Sequence, residues 1–394
     1  MTIGTNSSEQ LPGQATGSLT VWPSSDQLDL LKAALWTGPA AAEAWNRWRA
    51  GNDPDSTDPS SRQLLPLVYA NLSTAELQNL DRDLLKRRYL GTWAANQAVF
   101  RKLRDTLRLF REAGIPTLIL KGAALVPQFY RDEGVRGMGD FDLLVPEDRF
   151  LEGCRLLESK GWRPFDFDPN FFDTRFAHAI GFLDEAGNSV DLHCHALVQS
   201  CELQADRMFW DDAVAVRIGD EAALTLNATD HLLQICAHGL TWVEDPPVRW
   251  AADALTILEV AKGDLDWERL VHVAEERGVA YELSASLGFL QSSLDAAIPA
   301  GVTESLRRIA STRTGIVAAG SRMEDRRSRP LRLLQVHWHA YNRGIGQVSG
   351  LRRLLLFHQY IRFWAQTDRA WKAPFVLFNK ALRVAGRRVA RPQT

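Results

Sequence analysis

The chain has 394 residues, of which 45% are hydrophobic and 24% charged, with a formal net charge of −2. These values fit a globular protein with ample apolar material for a core, and the length allows two to three domains of roughly 150 residues each. The first residues lack the basic and apolar segments of a signal peptide, and no apolar run reaches the roughly 18 residues of a membrane span. Four cysteines without a CxxC pair predict reduced thiols, and therefore a cytoplasmic protein.

The small net charge hides a basic C-terminal segment. From Arg322 to the end there are 16 Lys and Arg residues against three Asp and Glu, so the rest of the chain is acidic. Such a segment is expected to contact an acidic partner, an anionic membrane surface or the acidic body of the same protein. Three interpretations stay open: a terminal helix that packs on the body, a membrane-surface helix, and a binding segment for nucleic acid.

Along the chain, the patterns predict helices, then a small sheet, then helices. At Ile115 the helical periodicity gives way to the short apolar run IPTLIL, and FDLLV follows as a second strand. Two further strand-like runs meet at a tight turn at Gly187 and Asn188. We therefore predict an α+β fold with a small mixed sheet flanked by helical regions. The predicted divisions are a disordered N-terminus (1–24), an N-terminal helical region (25–114), an α/β core (115–221), a helical domain (222–320) and a basic helical segment (321–394).

Three aspartates lie on two of the predicted strands. In GDFDLLV, Asp140 and Asp142 are two residues apart and therefore face the same side of a strand. In VDLHCH, Asp191 shares one face with His193 and His195. If the two strands pair, three carboxylates meet and raise one another's pKa, a cost that a divalent cation relieves. Oxygen ligands favour Mg²⁺ or Mn²⁺, so all three aspartates are predicted metal ligands.

A glycine turn at a predicted helix start precedes these aspartates. Gly122 would let the backbone approach a phosphate, and the N–H groups of the helix start would point at it. Lys121 and Arg136 would neutralise phosphate charge, and Arg is the better bidentate partner. The three elements in this order are typical of a two-metal site for phosphoryl or nucleotidyl transfer, in which one cation holds the triphosphate and the other activates the attacking hydroxyl.

These motifs, LKGAAL, R-x-x-x-D-x-D-L-L-V and V-D-L-H, resemble those of the polymerase-β-type nucleotidyltransferase superfamily, and in particular a bacterial branch of uncharacterised nucleotidyltransferases. The resemblance covers about residues 85–262. It implies transfer of a nucleotidyl group from an NTP to a hydroxyl or phosphate acceptor. It also implies that Asp140 and Asp142 bind metal, that Asp191 is the third ligand and base or base-orienter, and that Gly122 holds the triphosphate.

The sequence departs from the superfamily pattern at two places. Ala123 follows Gly122 where the superfamily usually has Gly or Ser, so a hydroxyl that would touch the phosphates is missing. The run up to Asp140 is also longer than in the tightest members, which predicts an extra loop over residues 130–139. Both departures concern how the triphosphate is bound and which NTP is selected. Neither removes a metal ligand.

Histidines near the motifs allow more than one interpretation. His193 is expected to support a site carboxylate, and His195 to be a partly exposed neighbour. His238 is either a core histidine or part of a helical wall near the nucleotide. A zinc site is disfavoured because Cys194 faces away from both histidines of its strand. On the helix that follows, Arg249 and Asp253 have the i,i+4 spacing of a simple salt bridge.

The sequence therefore supports several functional hypotheses. The first is a metal-dependent nucleotidyltransferase that acts on a small molecule, a peptide or RNA. The second is a protein on the same scaffold that binds a nucleotide or a partner and does no chemistry. The third is a toxin-like enzyme that modifies RNA or protein, for which the basic C-terminal segment is the only indication.

Overall fold

The structure, a computed structural model, describes residues 22–72, 77, 79–240, 248–312, 341 and 350–367. The predicted disordered N-terminus, except for its last three residues, and most of the basic C-terminal segment lie outside these described residues. Across the described ranges, no helix is both long enough and apolar enough to cross a membrane.

A seven-stranded mixed sheet forms the centre of the fold, in the spatial order β3-β4-β5-β2-β1-β7-β6. Two strand pairs are parallel, β2 with β5 and β1 with β7, and the other pairs are antiparallel. The predicted α+β class with a mixed sheet is confirmed. The strands are β1 (Leu118–Leu120), β2 (Asp140–Leu144), β3 (Arg163–Pro164), β4 (Ala179–Leu183), β5 (Ser189–His193), β6 (Val214–Ile218) and β7 (Glu221–Thr225).

Strand β7 corrects one detail of the sequence interpretation. The helical pattern predicted from residue 222 is wrong for 222–225, which pair with both β1 and β6. The local sequence EAALT favours a helix through its alanines and leucine, and pairing with two strands overrides that weak preference. Gly219, which adopts a left-handed φ of 63° in the β6–β7 turn, was the local signal for the hairpin.

In the described residues, helices precede and follow the strands along the chain, and several begin or end at residues with a clear structural role. Asn227 accepts a hydrogen bond from the Asp230 N–H and caps the helix that carries His238. Pro127 lies in a single π-helical turn, Val126–Tyr130, which replaces the continuation of a regular helix. The helices are α1 (Ser25–Leu35), α2 (Pro39–Gly51), α3 (Pro59–Arg62), α4 (Leu65–Asn71), α5 (Asn79–Glu112), α6 (Lys121–Leu125), α7 (Phe150–Ser159), α8 (Arg207–Asp211), α9 (Ala228–Gly239), α10 (Arg249–Val260), α11 (Trp267–Glu276), α12 (Ala280–Leu294), α13 (Ala300–Thr312) and α14 (Leu351–Ala365).

Alternation along the strands separates two apolar cores, one on each face of the sheet. Ile119 and Leu143 point into the core formed with α5 and α7. Leu120 and Leu144 point into the core formed with the helical body, which we define as α1, α2, α4 and α9 to α13. Asp142 is two residues from Leu144 and therefore shares its face. The aspartates are thus directed towards the helical body.

Helix α14 packs on the loop between β3 and β4. Its residues Tyr360 and Phe363 form an aromatic cluster with Phe167 and Phe176 of that loop. For residues 350–367, this contact agrees with the interpretation of a terminal helix that packs on the body.

His231 of α9 connects the helical body to the sheet. The hydroxyl of Thr225 donates to the Ile119 carbonyl over 2.6 Å, so His231 Nε2, 3.0 Å away, must donate to that hydroxyl. Nδ1 is buried and has no hydrogen-bond partner among the described residues. Burial lowers the pKa of His231 to about 3, so the ring is neutral in the folded protein.

We expect the free energy of unfolding to fall as the pH drops from about 6.5 towards 3. In that range the unfolded chain binds a proton at His231 and the folded chain does not, so acid favours unfolding. The shift of the urea midpoint between about pH 7.5 and pH 5 should shrink in His231→Gln, which keeps an N–H donor for Thr225. The exposed His272→Gln is the matched control and should retain the wild-type shift. An unchanged shift in His231→Gln would contradict the assignment.

Candidate functional site

The register between β2 and β5 brings two aspartates together. Asp142 is paired with Asp191, and opposite residues on paired strands point to the same face of the sheet. One carboxylate oxygen from each, together with a ring nitrogen of His193, lie within 4.8 Å of one another. Asp140, paired with Ser189, stands at the exposed beginning of β2 and is not part of this group of atoms.

Lys121 supplies a positive charge to this group. It follows β1 directly, and its ammonium lies 2.6 Å from Asp142 Oδ1. Burial lowers the pKa of Lys121, but the charges of Asp142, Asp191 and Asp140 together, with the hydrogen bond to Asp142, raise it above its ordinary value. Its backbone has a left-handed φ of 47°, which is strained for a residue with a Cβ atom. Lys121 is therefore held towards Asp142 at some conformational cost.

His193 is the second partner of Asp142. The ring is fully buried, with Nε2 at 3.0 Å from Asp142 Oδ1 and Nδ1 at 3.2 Å from the His195 carbonyl oxygen. Since a carbonyl oxygen only accepts, Nδ1 is the donor of that hydrogen bond. Burial alone would raise the pKa of Asp142, but Lys121 and His193 hold that pKa below its usual range.

The pKa values of Asp191 and Asp140 are raised, whereas the pKa of Asp142 is lowered. Burial and the charge of Asp142 raise the pKa of Asp191 to about 6. Asp140 opens to solvent at the rim of the site, yet the atoms packed around it and the charge of Asp142 also raise its pKa. The site thus has one firmly ionised carboxylate and two whose ionisation a nearby cation would favour.

Gly122 lies against a buried arginine. A Cβ atom at this position would come within 2.1 Å of Arg136 Nη1, so no larger residue fits without movement of that side chain. Ala123 points the other way, into the core shared with α5 and α7. A serine hydroxyl at position 123 would be directed into that core, so only the backbone of this residue can take part in a site.

Arg136 forms an ion pair with Asp253. Its Nε and Nη2 donate to the two carboxylate oxygens of Asp253, each over 2.8 Å, and Tyr130 donates a third hydrogen bond to Asp253. Both charged side chains are buried, and removing one partner of such a pair costs about 3–5 kcal/mol. Asp253 therefore joins α10 to the loop before β2. The predicted i,i+4 pair between Arg249 and Asp253 is wrong.

The extra loop predicted before Asp140 is held by hydrogen bonds. The Asn96 side chain donates to the carbonyls of Glu133 and Arg136 and accepts from the Met138 N–H. From the other side, Arg249 donates to the Gly137 carbonyl over 3.0 Å. The loop is thereby fixed between α5 and α10, and it positions Arg136 over Gly122.

The helical body contributes Arg249 and His238 to the site. Arg249 is half-buried and has no ion-pair partner in the part of the chain that the structure describes. Burial and the charge of Arg136 lower its pKa, whereas Asp140 acts in the opposite direction. Solvent reaches His238, but crowding by surrounding atoms and the charge of Lys121 lower its pKa to about 4. His238 is therefore not a core histidine, and it lies close enough to Lys121 and Asp142 for their charges to act on it.

Sequence reasoning missed His178. This half-buried residue directly precedes β4, and its ring lies 5.2 Å from that of His193, centroid to centroid. Burial and the neighbouring His193 hold the pKa of His178 well below its ordinary value. The predicted hairpin could have indicated His178. When residues are paired outward from the turn at Gly187, Ala179 lies opposite His193, and His178 is the residue just before Ala179.

A separate cavity of about 700 Å³ opens beyond the other ends of β2 and β5, lined by Glu147, His195 and Trp210 among others. It lies past the last residues of the two strands, and its lining does not include Asp140, Asp142 or Asp191. His195 itself is buried, with Nε2 at 2.9 Å from the Thr174 carbonyl oxygen, so the expectation that it is partly exposed is wrong. The cavity is distinct from the aspartate site.

Comparison with known proteins identifies one family. The model of a family described as an uncharacterised nucleotidyltransferase matches residues 60–295. This range is well over half of the chain and contains every side chain placed in the site above. A search among curated proteins finds no match.

Proposed function

We propose, from the premise that this chain belongs to the uncharacterised nucleotidyltransferase family, that its reaction depends on a divalent metal and uses an NTP as the donor. The chain is a nucleotidyltransferase. In the proposed reaction, a nucleoside monophosphate passes to a hydroxyl group of an acceptor, which is a small molecule, a peptide or RNA. The observation that supports this most strongly is the pairing of Asp142 with Asp191 beside the Gly122 turn.

The side chains present fit a divalent metal ion. Asp142, Asp191 and His193 offer two oxygen ligands and one nitrogen ligand within 4.8 Å of one another, and Asp140 stands at the open rim. We propose that these residues hold Mg²⁺ or Mn²⁺. When bound, such an ion would neutralise phosphate charge and make the acceptor hydroxyl easier to deprotonate.

Asp191 is the proposed base. A bound cation would keep its carboxylate ionised, and the carboxylate could then accept a proton from the acceptor hydroxyl near neutral pH. The hydroxyl oxygen then forms a bond to the α-phosphorus. The bond from the α-phosphorus to the bridging oxygen breaks, and its electron pair leaves with pyrophosphate.

The residues proposed to bind the triphosphate differ from those that the sequence motifs predict. Two nitrogens of Arg136 donate hydrogen bonds to Asp253, and the Lys121 ammonium donates to Asp142. Arg249 is the free cation of the site within the described residues, since its only hydrogen bond there goes to a backbone carbonyl. The backbone of Gly122 is buried beneath Arg136, and Arg249 would bind the phosphate oxygens from the helical body.

We expect Asp142→Asn to lower the rate of pyrophosphate release roughly 1,000-fold, because metal-ion catalysis supplies several kcal/mol. The assay uses the full chain with each of the four NTPs, Mg²⁺ or Mn²⁺, and a pool of small-molecule, peptide and RNA acceptors. Asp264→Asn, an exposed change before α11, is the matched control and should keep wild-type activity. NTP binding by the wild type without pyrophosphate release from any pool would instead support a binding protein on this scaffold.

Arg249→Gln should weaken NTP binding about 10-fold or more, since a charge-assisted hydrogen bond contributes about 1.5–3 kcal/mol. Binding of the corresponding nucleoside, which has no phosphate, should stay unchanged. Titration calorimetry on the full chain measures both affinities, and Arg217→Gln on the exposed side of β6 serves as the control. Equal losses for the NTP and the nucleoside would show that Arg249 does not contact the phosphates.

A further inference from the structure

We infer that His193 is a direct metal ligand and that the site consequently takes a first-row transition-metal ion, such as Mn²⁺, in preference to Mg²⁺. The inference rests on the proposed metal-dependent function and names the class of ion that the site selects. It follows from the placement, orientation and surroundings of the imidazole ring.

The placement of the three ligand atoms is rigid. Asp191 and His193 are two residues apart on β5 and share a face, and Asp142 is the partner of Asp191 on β2. All three side chains thus come from neighbouring positions of two hydrogen-bonded strands inside the sheet. Ligands held on strands need little rearrangement to meet one ion.

The orientation of the ring is the one that metal-binding histidines usually have. Nδ1 donates to the His195 carbonyl oxygen over 3.2 Å, which leaves Nε2 as the nitrogen directed at the carboxylates. The acceptor backbone is itself fixed, because His195 is buried and hydrogen-bonded to Thr174. A hydrogen bond from the other ring nitrogen to a carbonyl is the arrangement that sets the tautomer of a ligating histidine.

The contact between His193 and Asp142 brings two potential ligand atoms together. Nε2 lies 3.0 Å from Asp142 Oδ1, and the nitrogen and one oxygen of each carboxylate, Asp142 and Asp191, lie within 4.8 Å of one another. One ion could therefore bind the nitrogen and both carboxylates. Lys121 lies 2.6 Å from Asp142 Oδ1. His178 and His238 lie nearby, but their ring nitrogens fall outside the group of ligand atoms found in the described ranges.

The nitrogen donor decides which ion is favoured. Mg²⁺ prefers an all-oxygen shell and binds imidazole poorly, whereas first-row transition-metal ions accept imidazole nitrogen readily. A ligand set that includes His193 Nε2 therefore disfavours Mg²⁺ relative to Mn²⁺. The three aspartates alone predict no such discrimination.

The test measures metal binding by the full chain, without turnover. Free Mn²⁺ is followed by its electron paramagnetic resonance signal, and Mg²⁺ affinity is obtained by competition. We expect wild type to bind Mn²⁺ more tightly than Mg²⁺. His193→Gln should weaken Mn²⁺ binding by about 10–100-fold and Mg²⁺ binding much less. His272→Gln, an exposed change on α11, is the matched control.

A second measurement needs no variant at the site. Electron spin-echo modulation of Mn²⁺ bound to the wild type should show a directly coordinated imidazole nitrogen, which keeps the inference testable even if His193→Gln fails to fold. Absence of that nitrogen signal, or an unchanged Mn²⁺ to Mg²⁺ preference in His193→Gln, would overturn the inference. If Asp142→Asn still abolishes Mn²⁺ binding in that case, the proposed function stands. If wild type binds neither ion, the proposed metal dependence falls with the inference.

Discussion

The site depends on the register of one parallel strand pair. Asp142 lies beside Asp191 only because β2 and β5 pair in this alignment, and a slip by one residue would turn every side chain of a strand to the opposite face. The apolar partners hold that alignment. Phe141 is paired with Val190, both buried against the core with α5 and α7, and the next apolar pair lies two residues further along. Burial on one face thus determines where the carboxylates meet on the other.

Meeting carboxylates destabilise a fold unless positive charge compensates them. Lys121 provides that charge at Oδ1 of Asp142 from a strained backbone conformation, and His193 Nε2 contacts the same oxygen. The helical body adds a further positive charge through Arg249 at the open side of the site. An arrangement in which cations surround a partly protonated carboxylate group is suited to binding and releasing a metal ion and a polyanion.

Short-range sequence patterns predicted the fold and the site better than any longer-range feature of the sequence. The two-residue spacing of Asp140 and Asp142, the apolar runs and the turn at Gly187 all follow from local geometry, and together with the family resemblance they led to the fold class, the enzyme class and the aspartate pair. Long-range partners were not accessible in this way. Arg136 binds Asp253, 117 residues away, whereas the local i,i+4 rule paired Asp253 with its helix neighbour. His178 also required the hairpin register, which periodicity alone does not fix.

Nucleotidyl transfer is best tested by following the α- and γ-phosphates of an NTP separately. The full chain would be incubated with Mn²⁺, an acceptor pool and NTP labelled with ³²P at one position or the other. We expect the α-label to become attached to an acceptor and the γ-label to appear only in pyrophosphate. Transfer of the γ-label to an acceptor, with release of the nucleoside diphosphate, would rule out nucleotidyl transfer, because the site would then catalyse phosphoryl transfer.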